Sequence, residues 1–213
     1  MTKIKIKPKL GIEDEIQIDT PVQRYIIISC FRGGSSEDIG TGFIDAANTL
    51  RKKLEKELDS YKANINIEIY NIDSITTLVG IINKGNIKQL DIFSHGGTEH
   101  LVIGSGEGIG KRELLYASDL SKFNKDSFLK DAIITFWGCK TASNPSRFRK
   151  FIGKKCIAEE FANYFKKCKV VGFTGGAIQA SSPTSKPDIN FIHKQGDDVW
   201  FVTWGTVKIF YED

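Results

Sequence analysis

Three short stretches carry runs of apolar residues, rich in isoleucine in the first. They are Arg24 to Cys30 (RYIIISC), Leu90 to Gly97 (LDIFSHGG) and Ala132 to Cys139 (AIITFWGC). A strand with one face in water alternates apolar with polar residues. An unbroken run marks a strand covered on both faces, as in a parallel sheet packed between helices. The intervening segments fit that arrangement. Phe43, Ala46, Ala47, Leu50, Leu54 and Leu58 fall at helical spacing within Phe43 to Tyr61. Ile65 to Tyr70 (INIEIY) alternates like a strand, and Asp73 or Ser74 is placed to cap a short helix through Ile82. Strand, helix, strand, helix, strand is the order that gives parallel strands joined by right-handed crossovers. The expected fold is α/β: a three-layer sandwich with a mostly parallel sheet of about six strands, flanked by helices.

Later segments extend this plan. Glu99 to Ile103 and Arg112 to Tyr116 flank a glycine-rich turn and predict a β-hairpin beside the sheet, after the histidine strand. The glycines at 104, 106, 108 and 110 do not make a phosphate loop. The Walker spacing needs Gly at 105 and Ser or Thr at 112, where the chain has Ser105 and Arg112. Ala117 to Lys130 is polar, with Asp119 and Asp126 as helix starts. Lys140 to Lys155 is basic and exposed, and Cys156 to Lys167 is amphipathic and helical. Val170 to Phe173 reads as a further strand. Ala177 to Asp188 reads as a long Ser/Pro loop, and Val199 to Thr203 with Thr206 to Tyr211 as a closing hairpin turning near Gly205. Residues 1–22 read as an arm, with Lys3 to Lys7 alternating like an edge strand before Pro8. Residues 23–213 form one domain.

The 213 residues are 40% hydrophobic and 26% charged, an ordinary globular balance, and the net charge of +4 does not call for nucleic acid. The N-terminal stretch alternates charge with apolar residues and has neither a signal-peptide core nor a membrane span. Four cysteines (Cys30, Cys139, Cys156, Cys168) show no paired metal spacing and no dense disulfide pattern, which points to a reducing compartment. No metal or cofactor is called for.

The chemistry concentrates where two apolar runs stop. One ends in His95-Gly96-Gly97 and the other in Gly138-Cys139. Groups at the carboxyl ends of neighbouring parallel strands meet in one crevice. A thiol there needs a base to become a nucleophile, and acyl transfer needs donors for the developing oxyanion. His95 supplies the base. The backbone N–H groups of Gly96 and Cys139 are the candidate donors. Cys30, Cys156 and Cys168 read as core positions, His100 and His193 as surface ones. Trp137 is placed to pack beneath Cys139, and Trp200 and Trp204 on the sheet or in the cleft.

IFSHGG followed by ITFWGCKTA resembles the caspase–haemoglobinase fold cysteine peptidases, and is closest in motif to CHAT-domain proteases and bacterial toxin or effector proteases. In that group one strand ends in His-Gly and a later one in Cys. The resemblance spans roughly residues 24–211 and implies a Cys-His dyad endopeptidase without a cofactor. It carries the catalytic roles to His95 and Cys139 and the oxyanion hole to Gly96 and Cys139. It implies an extended peptide or protein substrate lying along Thr174, Gly175, Gly176 and Ala177, paired by β-augmentation. Arg32, in the loop after the first strand, matches a caspase arginine that binds an acidic side chain. The caspase Gln-Ala-Cys-Arg-Gly motif is absent, so the chain is not a caspase proper. A bacterial effector or toxin protease acting in the cytoplasm or in a target-cell cytosol, and processing itself within Lys140 to Lys155, fits this reading. The rivals are an inactive scaffold of the same fold and a transferase or other hydrolase using the same dyad.

Overall fold

The computed structural model describes residues 2–3, 17–18, 21–30, 41–58, 64–105, 112–180, 189–195 and 199–212. Two short strands, β1 (Thr2–Lys3) and β2 (Gln17–Ile18), pair antiparallel near the start of the chain. The body begins with β3 (Gln23–Cys30), α1 (Thr41–Leu58), β4 (Ile65–Ile72), α2 (Ile75–Ile82) and β5 (Ile87–Phe93). A three-stranded unit follows: β6 (His95–Gly96), β7 (His100–Ser105) and β8 (Arg112–Tyr116). Then come β9 (Phe128–Trp137), α3 (Arg147–Phe151), α4 (Ile157–Tyr164) and β10 (Lys169–Phe173). The chain closes with β11 (Ala177–Ala180), β12 (Ile189–Gln195), β13 (Val199–Trp204) and β14 (Val207–Tyr211).

The main sheet has six strands in the order β14-β10-β9-β5-β3-β4. Five are parallel, and β14 closes one edge antiparallel to β10. Alternation along β3 divides the core between two faces. Ile27 points to one side, where it meets Ala46, Ala47 and Leu54 of α1 together with Phe93. Ile26 and Ile28 point to the other and join α2 and α4 around Leu90, Ile92, Ile134 and Phe136. Helices thus cover both faces, an arrangement compatible with a three-layer sandwich. The three apolar runs lie in the central strands β3, β5 and β9, as expected for strands buried on both sides.

Local signals explain the boundaries. The Ser74 side chain accepts from the Thr77 N–H at 3.2 Å and starts α2. Arg24, almost buried, forks onto Glu68 at 2.6 and 2.8 Å and donates to the carbonyls of Ile81 and Gly85, tying β3 to β4 and to the end of α2. That hydrogen-bonded guanidinium holds the Glu68 carboxyl below its ordinary range. On α1, Arg51 and Glu55 make an exposed i,i+4 pair.

The structure corrects several expectations. Val199 to Tyr211 is not one hairpin. β13 pairs with β11 and β12 in a separate three-stranded sheet, whereas β14 joins the main sheet. Gly205, with φ of 90°, turns the chain between them. Alternation identifies a strand but not its neighbour. The start of the expected Ser/Pro loop is strand β11, and 181–188 lie outside the described residues. Ala117–Lys122 and Lys125–Ser127 are short 3₁₀ helices of six and three residues, and β9 begins at Phe128. The strand expected over Lys3 to Lys7 is described only as β1, and 4–16 lie outside the described residues.

Candidate functional site at the strand ends

β5 and β9 run side by side with Phe93 opposite Trp137. Two residues further on, each chain reaches its reactive side chain: His95 from β5, Cys139 from β9. Both keep the parity of their strand, so both continue the row facing α1. Phe43 of α1 touches the His95 ring edge-on at 5.1 Å, and Phe43 and Cys139 pack against the same apolar cluster. His95 and Cys139 are half-buried. Cys30, Cys156 and Cys168 are buried, as expected for core positions. Burial pushes the Cys168 thiol up to about 11 and raises those of Cys30 and Cys156 as well.

The glycines fit close contacts. A Cβ on Gly96 would stand 3.2 Å from the Cys139 carbonyl oxygen and 3.1 Å from Thr141 Cγ2. One on Gly138 would stand 2.9 Å from the Ser94 carbonyl oxygen and 3.7 Å from the Gly96 nitrogen. Gly138 thus lets the two strand ends touch. Beyond β6 the chain turns at Thr98-Glu99, and the Gly97 N–H donates to the His100 carbonyl at 2.9 Å. In an antiparallel ladder bonded and non-bonded pairs alternate, so Gly96 opposite Leu101 is a non-bonded pair. Its N–H points away from β7, towards the side where Gly138 lies. His100 is half-buried rather than on the surface. Its Cε1 lies 2.8 Å from where a Gly97 Cβ would stand, and its ring tilts against Tyr116.

The turn after β9 is held from several sides. Lys140 has φ of 57°, a left-handed conformation that L side chains rarely adopt and that bends the chain sharply after Cys139. The Lys140 N–H donates to the Gly175 carbonyl at 2.7 Å, and Ser143 Oγ donates to the Thr174 carbonyl at 2.7 Å. Buried Thr141 receives the Phe173 N–H on its hydroxyl at 3.3 Å. Thr174 is held in turn by Thr206, whose N–H donates to its hydroxyl at 2.8 Å. The expected substrate segment therefore adjoins Cys139, but the carbonyls of Thr174 and Gly175 already serve the Cys139 turn. Gly176 is buried, and Ala177 opens β11, an edge strand of its sheet. Arg32 lies outside the described residues, as do the side chains of Trp200, Trp204 and His193.

Asp91 was not singled out in the sequence, and Thr141 entered only as part of the motif after Cys139. Asp91 is 1% exposed and accepts from Trp137 Nε1 at 2.8 Å and from Gln89 Nε2 at 2.7 Å. Burial pushes its carboxyl up to about 6, against the opposing pull of those hydrogen bonds. The indole it holds is stacked between Phe93 and Phe173, two residues before Cys139. A charged residue inside an apolar run was the available signal.

Among the described residues no group of three or more His, Cys, Asp or Glu could hold a metal ion, and no helix is long and apolar enough to cross a membrane. A cavity lined by Lys125, Phe128, Tyr164 and Lys167 lies at the amino-terminal end of β9, far along that strand from Cys139. No protein-family model matches the sequence, and no curated protein matches it.

Proposed function

We propose that the chain is a caspase-like cysteine endopeptidase with His95 and Cys139 as its dyad. The observation that carries this reading is the junction of His95-Gly96 and Gly138-Cys139 at the carboxyl ends of two neighbouring parallel strands. The Cys139 sulfur attacks the scissile carbonyl carbon while His95 takes the thiol proton. The Gly96 and Cys139 N–H groups stabilise the oxyanion. Collapse breaks the C–N bond, and His95 returns the proton to the leaving amine. Water, deprotonated by His95, then adds to the thioester carbonyl, releasing the acid and restoring the thiol.

Substrate pairs as an added strand along the β11 edge, beginning at Gly176 and Ala177. Thr174 and Gly175 act as a buttress for the Cys139 turn. The test is a proteome-wide map of new N-termini made by the wild type and by Cys139→Ala. The proposal expects a defined set of cleavages with the wild type and none with the variant, with both proteins equally folded. Equal cleavage by the two would end it.

A further inference from the structure

Beyond the turn that holds Cys139, the basic stretch between Lys140 and Lys155 plays no part in the proposed chemistry. Six of the thirty Lys and Arg residues and none of the twenty-six acids lie within it, so the rest of the chain carries a net −2 against +4 for the whole. Within it, cations and phenylalanines alternate (RFRKF). Helix α3 contributes no buried residue. Phe148, Phe151 and Ile152 stand at i, i+3 and i+4, on one side of the helix, and are 72%, 88% and 53% exposed. An apolar stripe at helical spacing ordinarily faces a core, whereas this one faces outward. Every residue from 146 to 154 is exposed. Arg149 pairs with Glu99 and Lys155 with Glu159, while Arg147, Lys150 and Lys154 have no ion-pair partner among the described residues.

We propose that this face docks on an anionic lipid bilayer. Phe148, Phe151 and Ile152 enter the boundary between headgroups and acyl chains, and Arg147, Lys150 and Lys154 lie among the lipid phosphates. Aromatic residues backed by cations are what an interfacial helix needs. Two features favour a membrane over a protein partner. The stripe is three side chains on a short helix, well under the roughly 800 Å² per side of a stable protein interface. Its flanking cations include lysines, which are depleted in protein interfaces but lie readily along a bilayer with their charge at the headgroups.

The test is co-sedimentation of the full chain with vesicles of phosphatidylcholine alone and with added phosphatidylserine. The proposal expects binding to the anionic vesicles, little to the neutral ones, and weakening as salt rises. Phe148→Ala/Phe151→Ala should lower anionic binding by about tenfold or more, with thermal unfolding unchanged because both rings are exposed. Lys150→Glu/Lys154→Glu should lower it by a similar factor. No binding to anionic vesicles overturns the proposal. Full binding by the phenylalanine variant overturns it too, since that is adsorption by charge alone. Preferential capture of single-stranded oligonucleotides or of an acidic protein by this face, without vesicle binding, assigns the surface elsewhere and also overturns it.

Discussion

At the scale of single residues, the positions around Cys139 each answer a local demand. Gly138 is small because the Ser94 carbonyl is against it, and Lys140 takes a left-handed turn whose N–H ends on Gly175. Asp91 is the residue whose chemistry is least comfortable. Its folded-state pKa of about 6 lies above its ordinary 3.8, so the folded protein holds the proton more tightly than the unfolded chain. The stability this gives is fully present below 3.8 and is lost as pH rises through about 6, a difference of about 3 kcal/mol. Asp91→Asn keeps an acceptor for the Trp137 indole and lets Gln89 turn its amide. The variant should match or exceed the wild type in stability at neutral pH. Urea titrations across that pH window should show its advantage shrinking towards acid; a variant less stable than the wild type at every pH would contradict this account. The placement of His95 and Cys139 at neighbouring strand ends was readable because both residues close apolar runs. Asp91 stood out only as a charge inside such a run, which gives no hint of the partners that retain it there.

At the scale of elements, close backbone approach decides what the glycine-rich segment does. A Cβ on Gly104 would stand 1.5 Å from the Asp73 carbonyl oxygen, so β7 lies directly against the β4–α2 connection. The Ile75 N–H at the start of α2 is bound by Glu113 of β8, which fastens the same junction. Gly104→Ala is therefore expected to cost about 3 kcal/mol or more, by forcing backbone apart. Gly80 is the internal control: it lies in α2 with nothing within 4 Å of an added Cβ, and Gly80→Ala should stabilise by about 0.5–1 kcal/mol. Denaturant midpoints of the two variants, read beside the wild type, check both expectations. The predicted hairpin was correct in position, because turn residues and alternation are local signals. The reason for Gly104 was invisible, because its neighbour is 31 positions away in the chain.

At the scale of the whole molecule, strand order is what makes a site. Because β5 and β9 are neighbours, residues 44 positions apart in sequence close the same sheet edge side by side. The sequence pointed to a mostly parallel sheet through its apolar runs and alternating helices. It could not separate β13 from β14, since pairing partners depend on which edges the rest of the fold leaves open. The same limit hid the buttress of the Cys139 turn, built by residues 173–175 and 206. The central claim is that His95 makes Cys139 a nucleophile. The direct measurement is the rate at which iodoacetamide alkylates Cys139, followed against pH by peptide mass spectrometry in the wild type and in His95→Ala. The account predicts that Cys139 reacts faster than the three buried cysteines, and that losing His95 slows it by about tenfold or more at neutral pH. Superimposable profiles in the two proteins would contradict it.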